Sequence, residues 1–224
     1  MPGALVVLEG AEGVGKTTQL HRLAERIRAM GRQVQVVREP GGTPLGDEIR
    51  RLLLDAPHEV TARAEALLFM ASRAQLVDDV IVPRLRDGAV VLTDRFFLST
   101  YAYQVAGRGL EEAAVRRANE FATNTLVPDL TLLLDLPVGE GTRRAAARGE
   151  PDRLERAAAE FHQRVALAFR EFSSAQWQQQ HPECGPIVLV DAAGTEAEVE
   201  ARIDEALVRR LPETFGALRG SDIT

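Results

Sequence analysis

The chain has 224 residues, 45% hydrophobic and 27% charged, with one cysteine and a formal net charge of −6. That length favours a single α/β domain with a core large enough to fold without staples, and one thiol, Cys184, excludes both an internal disulfide framework and a multi-cysteine metal site. The acidic balance argues against duplex nucleic acid or an anionic membrane as main partner; no apolar run reaches the roughly 18 residues that span a bilayer, and with no leader-like start a cytoplasmic protein is expected.

Ala4–Leu8 is a short apolar run ended by Glu9-Gly10, the pattern of a strand buried on both faces of a parallel sheet. Further strands are predicted at Gln33–Arg38, Ala89–Thr93, Leu130–Leu136 and Pro186–Val190. Helical patterns lie between them. Leu20, Leu23, Ile27 and Met30 form one apolar stripe closed by Gly31; Ala157, Phe161, Val165, Phe169 and Phe172 form a second; Val199, Ile203 and Leu207 form a third. These stripes read as core, which removes Phe161, Phe169 and Phe172 from the ligand candidates. Alternating strands and helices predict an open five-stranded parallel sheet flanked by helices on both faces, with right-handed crossovers and ligands beyond the carboxyl ends of the strands. One domain over residues 1–213 is expected, with a flexible tail at 214–224.

Residues 10–17 read G-A-E-G-V-G-K-T. This fits G-x-x-x-x-G-K-[ST] between a strand and a helix, the context that makes the motif a phosphate loop. Gly10, Gly13 and Gly15 let the backbone curl so that N–H groups of Gly10, Ala11, Glu12, Gly13, Val14, Gly15, Lys16, Thr17 and Thr18 can face phosphate oxygens, and the helix starting near Lys16 adds its positive end. Lys16 supplies a point charge for the β/γ-phosphates, and Thr17 a hydroxyl for Mg²⁺. Asp94, at the end of the third strand, is the acidic partner for that ion; capping a helix is its other reading. No N-K-x-D is present to read guanine, so a nucleoside triphosphate such as ATP is expected as phosphoryl donor.

Three segments identify the second substrate. They are R-E-P-G-G-T from Arg38, L-L-F-M-A-S-R-A-Q from Leu67, and D-R-F-F-L-S-T-Y-A-Y-Q from Asp94. With the phosphate loop they resemble the signature segments of thymidylate kinases, a family of nucleoside monophosphate kinase-like P-loop enzymes that transfer a phosphoryl group from ATP to dTMP to give dTDP for dTTP synthesis. The resemblance implies Mg²⁺ and, through packed helices, a homodimer. It places Phe69 under the pyrimidine, although core packing competes for that side chain. It turns Arg73 and Gln104 to the base edge, with hydroxyls from Ser99 and Thr100, and sets Tyr103 beside the sugar, where a 2′-OH would crowd it. Arg95 and Arg50 hold the acceptor phosphate, as a planar guanidinium suits; Arg51, next to Arg50, is the alternative. Glu12 points at the acceptor 3′-hydroxyl, with Glu39 and Pro40 alongside. Asp191 and Ala192 resemble the loop along the adenine, though a turn starting a helix looks the same. Leu76, Val105 and Phe96 depart from the family pattern, where histidine, glycine and tyrosine are usual.

Transferring a phosphoryl group between two polyanions requires cations around the moving charge. Some members of the family place an arginine in the phosphate loop where this chain has Gly13. Residues 143–156, R-R-A-A-A-R-G-E-P-D-R-L-E-R, resemble instead a bacterial-type lid whose arginines reach the phosphates, with Arg148 and Arg153 as the matching positions. A solvated, salt-bridged helix end is the competing reading of this charge run.

Overall fold

The computed structural model describes residues 3–55, 59–146, 153–154 and 157–220. β1 (Ala4–Glu9) is buried along its whole length because strands flank it on both edges: β3 (Val90–Asp94) on one and β4 (Leu130–Asp135) on the other. β2 (Val34–Arg38) pairs with β3, and β5 (Ile187–Asp191) with β4. The sheet therefore has five strands, all parallel, in the order β2-β3-β1-β4-β5. Each predicted strand is present. The two edge strands are only partly buried, as position in the sheet requires.

Side-chain alternation splits the core into two layers. Val6, Leu8 and Leu92 pack beneath α1 (Lys16–Ala29) and α10 (Glu196–Arg210), which contribute Leu20, Leu23, Ile27, Val199, Ile203 and Leu207. Leu5, Val7 and Val91 face the opposite layer, where Phe161, Val165, Phe169 and Phe172 of α8 (Ala159–Phe172) pack. All three apolar stripes are thus core. The segment beyond Leu211, expected to fray, is instead tied down as far as Leu218. α11 (Pro212–Phe215) puts Phe215 at 0% exposure into the first layer, and an aromatic ring buried there outweighs the loosening effect of Gly216 and Gly220.

The acceptor-side helices are α2 (Pro44–Leu54), capped by the Thr43 side chain on the Gly46 N–H at 3.0 Å, and α3 (Ala62–Leu76). α3 runs through a π-helical turn at Val77–Ile81 into α4 (Val82–Arg86). After β3, the short α5 (Phe97–Thr100) passes directly into a seven-residue π-helix, Tyr101–Gly107, a geometry that concentrates at functional sites. α6 (Glu112–Thr123) follows. α7 (Val138–Ala146) leaves β4 towards the expected lid, and α9 (Ala175–Gln180) lies between α8 and β5.

Candidate functional site

A parallel sheet delivers every strand's carboxyl end to one side. β1 ends at Glu9, β2 at Arg38 and β3 at Asp94, and the segments that follow enclose a cavity of about 530 Å³. The phosphate loop and the start of α1 contribute Glu12, Gly13, Gly15, Lys16 and Thr17 to its lining; the segments after β2 and β3, with α2 and α3, contribute the acceptor wall of Glu39, Pro40, Arg50, Phe69, Arg73, Ser99, Thr100, Tyr103 and Gln104, together with Asp94 and Arg95. Gly10, Ala11, Val14, Thr18, Asp191 and Ala192 do not line it. Val14 and Ala192 are core residues, and Thr18 is exposed.

The loop reaches its shape through left-handed backbone at Gly13 (φ 77°) and Gly15 (φ 93°), the latter preceding α1 directly. Lys16 folds back over the loop, its Nζ donating to the carbonyls of Gly10 (3.0 Å) and Ala11 (2.8 Å). Burial, then the nearby Arg95, lower its pKa from 10.5 to about 8, against the partly offsetting Glu12, Asp94 and Glu9 carboxylates. Thr17 Oγ1 donates to Asp94 Oδ2 at 2.7 Å. This hydroxyl and carboxylate form a hard-oxygen pair that fits Mg²⁺. Among the described residues no group of three or more His, Cys, Asp or Glu could hold a metal, so phosphate oxygens and water would complete the shell.

Gly13 has a structural reason to lack a side chain. A Cβ there would overlap the carbonyl oxygen of Gly141 on α7, and a Cβ on Gly141 would lie 2.7 Å from the Glu12 carbonyl oxygen. Loop and helix touch backbone to backbone, which leaves no room for a loop arginine.

Arg95 sits in the left-handed region, φ 75°, a costly place for a non-glycine residue that the surroundings must hold. Its Nη1 donates to Ser99 Oγ (2.9 Å) and Gly10 O (3.2 Å), and its Nη2 to Glu12 and to the Tyr103 hydroxyl (3.3 Å). Burial opposes its charge, but Glu12, Tyr103, Asp94 and Glu9 together more than offset this and raise its pKa. Tyr103 donates to Glu12 at 2.9 Å, and burial pushes its phenol upward. Sequence reasoning overlooked what fixes this turn. The fully buried Glu9 accepts from the N–H of Phe96 (2.7 Å) and of Ser99 (2.9 Å) and from the Ser99 hydroxyl (2.6 Å). Its position just before the phosphate loop was the available clue, but in sequence it reads as an ordinary strand end.

On the acceptor wall Phe69 is half-buried, lines the cavity and belongs to none of the packed core clusters. Of the adjacent arginines, Arg50 lines the cavity and donates to Pro40 O at 3.0 Å, while Arg51 is exposed and pairs with Glu48. Arg73 was expected to turn to the thymine. It lines the cavity at 2% exposure, with five bonds for its five N–H groups: two to Glu39, one each to Thr100 (2.9 Å), Asn119 and the Phe96 carbonyl (2.8 Å). The Phe96 ring lies 4.9 Å below the guanidinium, so phenylalanine at that departure from the family pattern helps to cage the charge. Burial raises the pKa of Glu39, against the opposing pull of Arg73. Leu76 and Val105, the other departures, pack in the core, Val105 only partly buried.

The lid residues are divided. Arg148 lies outside the described residues. Arg153 is not over the phosphate loop: its Nε donates to Leu53 O (2.6 Å) and its Nη2 to the buried Glu65 (2.6 Å). A fully buried carboxylate is a deeper electrostatic well than a solvated one, which a charge pattern in sequence does not reveal. Asp191 and Ala192 begin the turn into α10, where Thr195 and Glu198 form a reciprocal cap.

Two outcomes follow from the loop. Lys16 is a cation below about pH 8 and loses its proton as pH rises through that value, so kcat/KM for ATP should show a falling limb near pH 8 while kcat at saturating ATP holds to higher pH, because bound phosphates stabilise the ammonium. Flat kcat/KM from pH 7 to 9 would overturn this. Gly13→Arg should not supply a useful cation but push α7 off the loop; we expect at least a tenfold loss of kcat, the size of effect set by a 1.4 kcal/mol change in barrier, and unchanged or increased turnover would contradict it.

The Thymidylate kinase family model matches residues 8–183. The chain is 47% identical over 208 residues to a thymidylate kinase of Deinococcus radiodurans, covering 93% of this chain and 98% of that protein. It is 48% identical over 217 residues to one of Pseudomonas fluorescens, covering 96% and 100%, and 46% identical over 176 residues to one of Carboxydothermus hydrogenoformans, covering 79% and 87%. With a phosphate loop and an acceptor wall facing each other across one cavity, and with relatives of this similarity along nearly its whole length, the chain belongs to the thymidylate kinase family.

Proposed function

We propose that this protein phosphorylates dTMP to dTDP with ATP as donor. The single observation that carries this reading is the shared cavity: Lys16, Thr17, Asp94, Arg50, Arg95, Phe69 and Gln104 all line it, so two nucleotides can meet phosphate to phosphate within it. An oxygen of the dTMP phosphate attacks the γ-phosphorus, the bond from that phosphorus to the β–γ bridging oxygen breaks, and ADP leaves with the electron pair. Lys16 holds the β/γ-phosphates, and Arg50 and Arg95 hold the acceptor phosphate in line. Mg²⁺, held near Thr17 and Asp94, would neutralise charge on the β- and γ-oxygens. Phe69 offers a stacking face to the pyrimidine, Gln104 reads its edge, and Tyr103 crowds a 2′-hydroxyl. Arg148 remains assigned to the phosphates, whereas Arg153 on Glu65 is assigned to anchoring the lid. We place the whole in one domain working in the cytoplasm; no helix among the described residues is long and apolar enough to cross a membrane.

The same reading includes a homodimer. Leu52 on α2, Leu67 on α3 and Phe121 on α6 are 52%, 63% and 89% exposed, and these helices pack side by side, so they offer an apolar face for a second copy.

A coupled assay with ATP, Mg²⁺ and each common nucleoside monophosphate tests the activity. ADP release should depend on dTMP and be fastest with it; dTMP-independent turnover, or a higher kcat/KM for another monophosphate, would overturn the assignment. For the dimer, Phe121→Glu should convert a dimeric sedimentation species to a monomer, and an unchanged mass, dimeric or monomeric, in wild type and variant would contradict it.

A further inference from the structure

Glu65 lies behind the acceptor wall, fully buried, and touches neither phosphate loop nor cavity. Its carboxylate plane is fixed by Arg108, whose Nε donates to Oε1 and Nη2 to Oε2, both at 3.0 Å. Arg108 is itself seated over the Phe161 ring at 4.7 Å. Arg153 adds a second bond to Oε2. Burial alone would raise the pKa of Glu65, but the hydrogen bonds from Arg108 and Arg153 outweigh it and hold the group ionised. The remaining direction, at Oε1, is taken by Gln104 Nε2 at 3.3 Å.

A carboxylate only accepts hydrogen bonds, so only the NH₂ end of an amide can face it. Turning the Gln104 amide over would put two oxygens against each other in a buried site, at the cost of an unpaired polar group. Gln104 is 2% exposed and lines the cavity, and its Nε2 is the end turned to Glu65. The end of the amide left for a ligand is therefore an acceptor.

We propose that Glu65 is a positioning residue for base selection: by locking the Gln104 amide with its carbonyl towards the cavity, it selects a pyrimidine with N3–H over one whose N3 is a lone pair. This rests on the dTMP kinase reading above. Thymine and uracil carry N3–H and meet the carbonyl as donors. Cytosine presents a lone pair and is repelled; it would be accepted only by a flipped amide, which Glu65 forbids. Glu65 thus discriminates against cytosine and is blind to the 5-methyl group, which gives the test an internal control.

The experiment is kcat/KM for dTMP, dUMP and dCMP in wild type, Glu65→Gln, Gln104→Ala and the double variant. A glutamine at 65 can offer either end to Gln104, freeing the flip. The dTMP:dCMP ratio should fall about tenfold, the size of one lost buried hydrogen-bond preference. The dTMP:dUMP ratio should not move, and Glu65→Gln should not lower the dTMP:dCMP ratio further once Gln104 is alanine. Equal losses with all three substrates would reduce Glu65 to a structural brace and overturn the proposal, as would an equally large drop in the Gln104→Ala background. Should Glu65→Gln not fold, wild-type binding of N3-methyl-dTMP decides: at least tenfold weaker than dTMP is expected, and equal affinity overturns the proposal. Wild type without dTMP-dependent turnover would remove the functional reading, and this inference with it.

Discussion

Cations crowded into one small cavity repel each other until a polyanion arrives, and the carboxylates around them make that crowding tolerable. At an effective dielectric constant of about 20, two like charges about 4 Å apart cost roughly 4 kcal/mol. Within the cavity Arg95 is paired with Glu12 and Arg73 with Glu39. These pairings are not equivalent. Arg73 is sealed by five bonds at 2% exposure, whereas Lys16 rests on two neutral carbonyls of its own loop. A phosphate oxygen offers the ammonium a full negative charge that a carbonyl lacks, so Lys16 can exchange its partners for a ligand at little cost.

The contact between Gly13 and Gly141 bears on the same problem from the other side. It brings the start of α7 onto the phosphate loop with no side chain between them. The helix that leads from β4 into the lid is therefore seated on the loop that holds the donor phosphates. A loop arginine and this close seat are alternatives in the same space; on the proposed function the positive charge comes instead from Lys16, Arg50, Arg95 and the lid.

The fold was legible because its signals are local. Five apolar runs with turn residues after them, and three stripes at helical spacing, each report on their own few residues, and the structure contains each. The phosphate loop was legible for the same reason: its glycines, Lys16 and Thr17 are contiguous. What the sequence concealed is long-range. Glu9 meets Ser99 across 90 positions, Glu65 meets Arg153 across 88, and Arg73 meets Asn119 across 46. None of these pairs has a spacing that announces it. The π-helical geometry of Tyr101–Gly107, which sets where Tyr103 and Gln104 point, is likewise invisible in an apolar pattern read at 3.6 residues per turn. Phe215 shows the opposite error, where glycine-rich composition suggested a loose end and one buried ring removed it.

The two ends of the cavity follow different physical rules because they do different work. At the phosphate end the proposed reaction requires exchangeable bonds, since the ligand's oxygens would replace them on every turnover; Lys16 there rests on loop carbonyls, and Arg95 makes long contacts to Tyr103 and Gly10 beside shorter ones to Glu12 and Ser99. At the base end, bonds must not exchange, since an amide free to turn over would present a donor as readily as an acceptor. There the groups are buried and held from within: the Arg73 donors are all committed within the protein, and Gln104 is held from behind by a carboxylate that two arginines keep in place. On the proposed function, with Arg73 so committed, Gln104 and the stacking face of Phe69 carry most of the choice of base. Burial suits that task, because an unpaired polar group costs far more in a dry wall than in a wet one. On that proposal, selectivity for the base comes from bonds the ligand never touches.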